Sequence, residues 1–216
     1  MTVAAVFVAV ARAGTPNATV PVEALTLATD ILDEMWRPAA TANPHMYELG
    51  GLDPARAEIG EPFRELELRG HNVDAFLGAS DNDFTRFAGV ERYCFPLLIS
   101  GQDAGAIIVI RNRDENGAKF SPDYDDVMLF GYYLRGNKQV AEVRELRAAF
   151  PSNAEIVWVW FVNTQVTPNV VVKLGDGQLL AGVSREELGP IGIVGPAIRT
   201  EIHESRQLEQ KQLRDE

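Results

Sequence analysis

Cys94 and His71 are the residues whose types could form a thiolate–imidazole pair. Such a nucleophile needs an electropositive, partly exposed setting that lowers the thiol pKa. Cys94 stands instead within Tyr93-Cys94-Phe95-Pro96-Leu97-Leu98, a buried-strand context where a free cysteine packs as a small hydrophobe. The three histidines, His45, His71 and His203, are far apart, and none has H-x-x-x-H or H-E-x-x-H spacing. His45 and His71 read as loop residues. No catalytic residue, metal ligand or cofactor is assigned from these patterns.

The acidic residues invite two further chemistries. Asp114-Glu115-Asn116-Gly117, with Asp123, Asp125 and Asp126 behind it, superficially suggests a calcium loop. The EF-hand pattern fails, because Ala118 takes its fifth position and the glycine comes two residues early. A hairpin turn followed by an acidic first helical turn accounts for the same residues. Glu65 with Glu67, and Asp81 with Asp83, are i,i+2 pairs that face one side of extended chain. General acid–base work needs two carboxylates held at a set separation in a cleft, which adjacency does not supply. The glycine phrases are equally bland. Gly101-x-x-x-Gly105 lacks the Lys-Ser/Thr of a phosphate cradle. Gly189 to Gly195 lacks the βαβ unit of a dinucleotide site and reads as a loop.

Aromatic residues give the one candidate binding surface. Tyr132, Tyr133, Trp158 and Trp160 fall in two strand-like runs, and alternation puts Ile156, Trp158 and Trp160 on one face. Covered by a helix, that face is core, as aromatics usually are; left open, it is a platform for a sugar, peptide or protein partner.

Val22 to Trp36 repeats apolar residues at helical spacing and Pro38 is expected to end it. Asp53-Pro54 opens a short helix, Phe63 to Leu68 alternates as a strand, and Asn72 is expected to cap a helix through Leu77. Tyr93–Ser100 and Ala104–Arg111 are apolar, β-branched runs joined at Gly101-Gln102-Asp103 as a hairpin, and Asn116-Gly117 marks another turn. Residues 123–134 are ambiguous between helix and strand. Asn137 caps a helix carrying Val140, Val143, Leu146 and Phe150 on one face. Strands follow over 156–162 and 169–174, with a turn at Asp176-Gly177 and a capping box at Ser184 and Glu187. The expected fold class is α+β: an antiparallel sheet built from hairpins and flanked by helices, with an N-terminal helix and a charged C-terminal helix. Residues 15–195 are expected to form a single domain and 196–216 that terminal helix.

The totals exclude several partners. With 20 basic against 31 acidic residues and a net charge of −11, the chain has no surface suited to nucleic acid. Hydrophobic residues make up 46% and charged ones 24%, as in an ordinary globular protein able to bury a core without disulfides. One cysteine allows no internal disulfide. Thr2 to Ala11 is apolar but too short for a membrane span. Residues 1–14 are either a truncated signal segment, lacking its basic start, or an edge strand. Export and a cytoplasmic location therefore both stand.

From Ile59 to about Gly177 the chain resembles an uncharacterised group of bacterial, often exported, proteins. The matching phrases are Gly60-Glu61-Pro62-Phe63-Arg64, Phe95-Pro96-Leu97-Leu98-Ile99-Ser100-Gly101, a strand such as 106–110, Phe130-Gly131-Tyr132 and a helix ending at Phe150-Pro151. That resemblance implies an exported module and transfers no catalytic residue. Phe120-Ser121-Pro122-Asp123-Tyr124-Asp125, after the strand pair, is similar to GAF-type sensory domains. The chain departs from these by continuing into further strands beyond Phe150. The expected function is a non-catalytic binding or interaction module of the exported or cell-envelope type, with a protein or small-molecule partner. The alternatives are a cytoplasmic GAF/PAS-like small-molecule sensor and a hydrolase whose site assembles only in space.

Overall fold

The computed structural model describes residues 20–114, 117–122, 138–162 and 169–215. Tyr132 and Tyr133 lie outside the described residues, as do residues 1–14 and the acidic positions 123, 125 and 126. The first element is α1 (Val22–Ile31), which buries Ala24, Ala28 and Ile31 along one side. It runs through a π turn (Leu32–Trp36) directly into α2 (Arg37–Ala42), so Pro38 does not end the helix. In the π turn the Arg37 N–H donates five residues back, to the Leu32 carbonyl. The wider turn takes up the misfit that a proline ring imposes on the preceding turn, and Pro38 sits in the first turn of α2.

Nine described strands form one mixed sheet: β1 (Ala57–Ile59), β2 (Phe63–Leu68), β3 (Val90–Ile99), β4 (Gln102–Asp114), β5 (Gly117–Pro122), β6 (Glu155–Phe161), β7 (Asn169–Lys173), β8 (Leu179–Gly182) and β9 (Gly189–Pro190). The order is β5-β4-β3-β2-β6-β7-β8-β9, with β1 beside β3. Most neighbours are antiparallel, as expected, but β2 and β6 pair parallel, Arg64 opposite Val157. That pair joins an N-terminal and a C-terminal meander into one sheet. The β3–β4 hairpin turns on Ser100 and Gly101, both at positive φ (53° and 78°). This is the type I′ geometry whose twist matches the strands, placed one residue earlier than the sequence suggests.

Helices cover both faces. On the first face, α1 through α2 pack on Tyr93, Phe95, Leu97, Ile107 and Val109. Next to them, α3 (His71–Gly78) and α5 (Ile191–Asp215) pack on Leu66, Leu68, Val157 and Val159. The second face carries α4 (Lys138–Ala149), whose Val140, Val143 and Leu146 meet Phe63, Cys94 and Ile156. Burying each such aliphatic side chain is worth about 2 kcal/mol, enough to fix α4 on the sheet. Three local expectations change. Gly70 (φ 48°), not Asn72, stands at the start of α3; Ser184 makes no side-chain cap for the 3-10 turn Arg185–Glu187; and Gly192 and Gly195 are helical residues of α5, not loop. Among the described residues no helix is long and apolar enough to cross a membrane.

Candidate functional site

The break between β1 and β2 creates the site. Ile59 opposes Leu97 and Phe63 opposes Cys94, so four steps along one strand match three along the other. The extra residue is a bulge at Gly60-Glu61-Pro62, anchored where the Gly60 N–H donates to the Pro96 carbonyl at 2.7 Å. A second irregularity lies on the other side of the same strand, where the β3–β4 register shifts between Leu97 and Leu98. Bulges bend a strand and re-aim its side chains, and they concentrate beside functional sites. Here they leave a half-open recess of about 190 Å³ between the bent strands and α4.

Its walls are apolar. Phe63, Pro96 and Leu98 come from the sheet, Val140 and Val143 from the helix. Arg147 and Arg144, one turn apart on α4, supply the charge. Arg147 is only 17% exposed. Its Nη1 donates to the Glu61 carbonyl at 2.8 Å and its Nη2 to the Pro62 carbonyl. Both acceptors are neutral. Among the described residues the carboxylate paired with it is Glu61, 3.3 Å from Nε and itself 59% exposed, and Nε makes no hydrogen bond. Burial pushes the guanidinium below its ordinary pKa, and the charge of Glu61 with Cys94 offsets only part of that. Arg144, 56% exposed at the mouth, pairs with Asp103 of β4.

A contrasting charged group lies on the first face, along the seam between its two helical layers. Arg64 Nη2 is 2.9 Å from Glu155 and Nη1 is 3.4 Å from Glu91. Arg111 contacts the other Glu91 oxygen at 2.9 Å, and the Tyr93 hydroxyl donates to Glu91 at 2.7 Å. Burial alone would raise the Glu91 carboxyl; the Tyr93 and Arg111 hydrogen bonds and the Arg64 charge outweigh it and hold Glu91 below the usual range. The same burial and the Glu91 charge push the Tyr93 phenol up.

The residues singled out from sequence are placed as follows. Trp158, 6% exposed, lies in the core cluster beneath α4, and Trp160 packs partly buried beside it, ring centroids 6.1 Å apart. Cys94 is wholly buried on the second face, while His71 opens α3 on the first, so the sheet separates them. Glu65 and Glu67 are both buried, and Glu67 receives Arg92 at 2.5 Å and Arg69 at 2.6 Å. Asp81 and Asp83 share Arg86. Among the described residues no three His, Cys, Asp or Glu converge as a metal site. A second hollow, about 450 Å³, runs between α1 and β5 past Val22, Leu27 and Phe120, but it is an open trough without a buried charge.

Arg147 is the charged residue of this recess that sequence reading passed over. Its signal was its position: it falls four residues after Val143 and seven after Val140, on the apolar stripe of its helix. Comparison with family models, curated proteins and solved structures finds no match.

Proposed function

We propose that this chain is a non-catalytic binding module whose ligand seats in the recess between α4 and the β1–β2 bulge. The observation that supports it is Arg147, a largely buried cation facing an apolar hollow with two neutral carbonyls and one exposed carboxylate at 3.3 Å as described partners. A buried charge is ordinarily paired or relieved by other groups, because its desolvation costs several kcal/mol. Small-molecule sites combine apolar walls with a few placed polar groups, which is the arrangement here. Binding needs no chemistry beyond this, and the arrangement offers a guanidinium and carbonyls, groups that hold and orient rather than react.

A thermal-shift screen of the full chain against small acids, sugars and neutral metabolites tests the reading, with Leu98→Trp as a variant that fills the recess. A ligand at about a hundred times its Kd stabilises by about 2.7 kcal/mol. Hits are expected with the parent chain and are expected to vanish with Leu98→Trp. Hits that survive Leu98→Trp, or a blank screen, reject the recess as the binding site.

A further inference from the structure

The geometry points to a ligand class: we propose that the recess selects a compact monocarboxylate with an apolar body the size of one ring. Its carboxylate takes the place of Glu61 on Arg147 and reaches Arg144 at the mouth. The inference rests on the binding-module reading and deepens it.

Three observations carry it. The first is size. An apolar cavity of about 150 Å³ admits one benzene, so the recess of about 190 Å³ admits a body of that size and little more. The second is the shape of the cationic group. A guanidinium is a planar fork with five N–H donors, suited to receiving both oxygens of a carboxylate. On Arg147 two carbonyls each take one donor, and Nε has no hydrogen bond. On Arg144 the Asp103 carboxylate is engaged through Nη2. The third is that the chain's own carboxylate already points there. Glu61 sits at 3.3 Å, an ion pair in which Nε makes no hydrogen bond, and is largely exposed, so its departure returns it to water at little cost.

Charge sets the limit to one negative unit. Glu61 and Asp103 flank the two arginines, and the chain carries a net charge of −11, so a dianion such as a phosphate monoester meets repulsion that a monocarboxylate does not. A neutral isostere, in turn, fills the apolar hollow but leaves Arg147 as it was.

Titration calorimetry on the full chain decides the matter, using benzoate, cyclohexanecarboxylate and isovalerate, each beside its primary amide. At least one acid is expected to bind about tenfold or more tighter than its amide. Glu61→Gln removes the competing carboxylate and is expected to tighten acid binding about threefold or more, leaving the amides unmoved. Arg144→Gln, at an exposed position where folding is not at stake, should weaken the acids alone. Equal binding of acids and amides, or no response of acid affinity to Glu61→Gln, overturns the monocarboxylate inference. If compounds from the wider screen still bind in a manner sensitive to Leu98→Trp, the module reading survives that result. If no compound responds to Leu98→Trp, both fall.

Discussion

Arg64 and Arg147 are both largely buried against the same sheet, on opposite faces, and they are partnered in opposite ways. Arg64 reaches two carboxylates, Glu91 and Glu155, and Arg111 and Tyr93 complete the charge and hydrogen-bond balance around Glu91. Arg147 donates to two carbonyls and, among the described residues, has one carboxylate in ion-pair range, the largely exposed Glu61 at 3.3 Å. The seam sets its arginines against part-buried carboxylates, although Arg64 Nε, Arg111 Nε and one Glu155 oxygen make no hydrogen bond, and ion networks of this kind hold structure. At the recess the cation's described carboxylate partner is largely exposed to water, and on the proposed binding reading that is the group a ligand would replace. Burial alone does not separate the two arginines; the number and burial of their carboxylate partners does.

The largest test of this contrast is Arg64→Met. It takes from Glu155 its Arg64 contact and leaves Glu91 with Arg111 and Tyr93, and a loss of about 2 kcal/mol is expected in urea unfolding, less than for a fully buried pair because water reaches the seam. Arg147→Met should cost less, about 1 kcal/mol, since it removes an undercompensated charge together with two carbonyl contacts. A larger loss for Arg147→Met than for Arg64→Met would break the comparison. The pH dependence comes next. Because the Glu91 pKa is lowered on folding, its contribution is present above the ordinary carboxylate range and is lost as pH falls through the folded value. Glu91→Gln should therefore flatten the acid limb of the stability curve; melting curves from pH 3 to 7, roughly the carboxylate range, read this directly. The smallest effect is ionic. Raising salt to about 1 M shortens the screening length to about 3 Å, so the cost of Arg64→Met should shrink by a few tenths of a kcal/mol while that of Arg147→Met holds.

Local structure was largely legible in the sequence. Alternation located β2 and β6, the apolar stripe located α4, and the glycine after Ser100 located the β3–β4 turn. Which strands meet was not, because alternation reports the face of a strand and not its neighbour. The parallel β2–β6 pairing therefore escaped an expectation built from hairpins. Pro38 misled for a related reason: it breaks a regular helix, and the π turn before it makes the helix irregular. The recess was hidden in two ways. A bulge depends on counting residues against a partner strand, and Arg147 looks like one more helix charge until its place on the stripe is weighed. Trp158 shows the converse, an aromatic conspicuous in sequence that the structure puts under a helix.

The β2–β6 pairing also shapes how the chain must be made. Its partners stand about ninety residues apart, so β2 can finish its ladder only when the second meander has left the ribosome. At synthesis rates of about 5–20 residues per second, the inner edge of the first meander waits several seconds with its N–H and C=O groups unpaired. During that interval this edge is open to other nascent chains, and the order of translation rather than final stability decides what it meets.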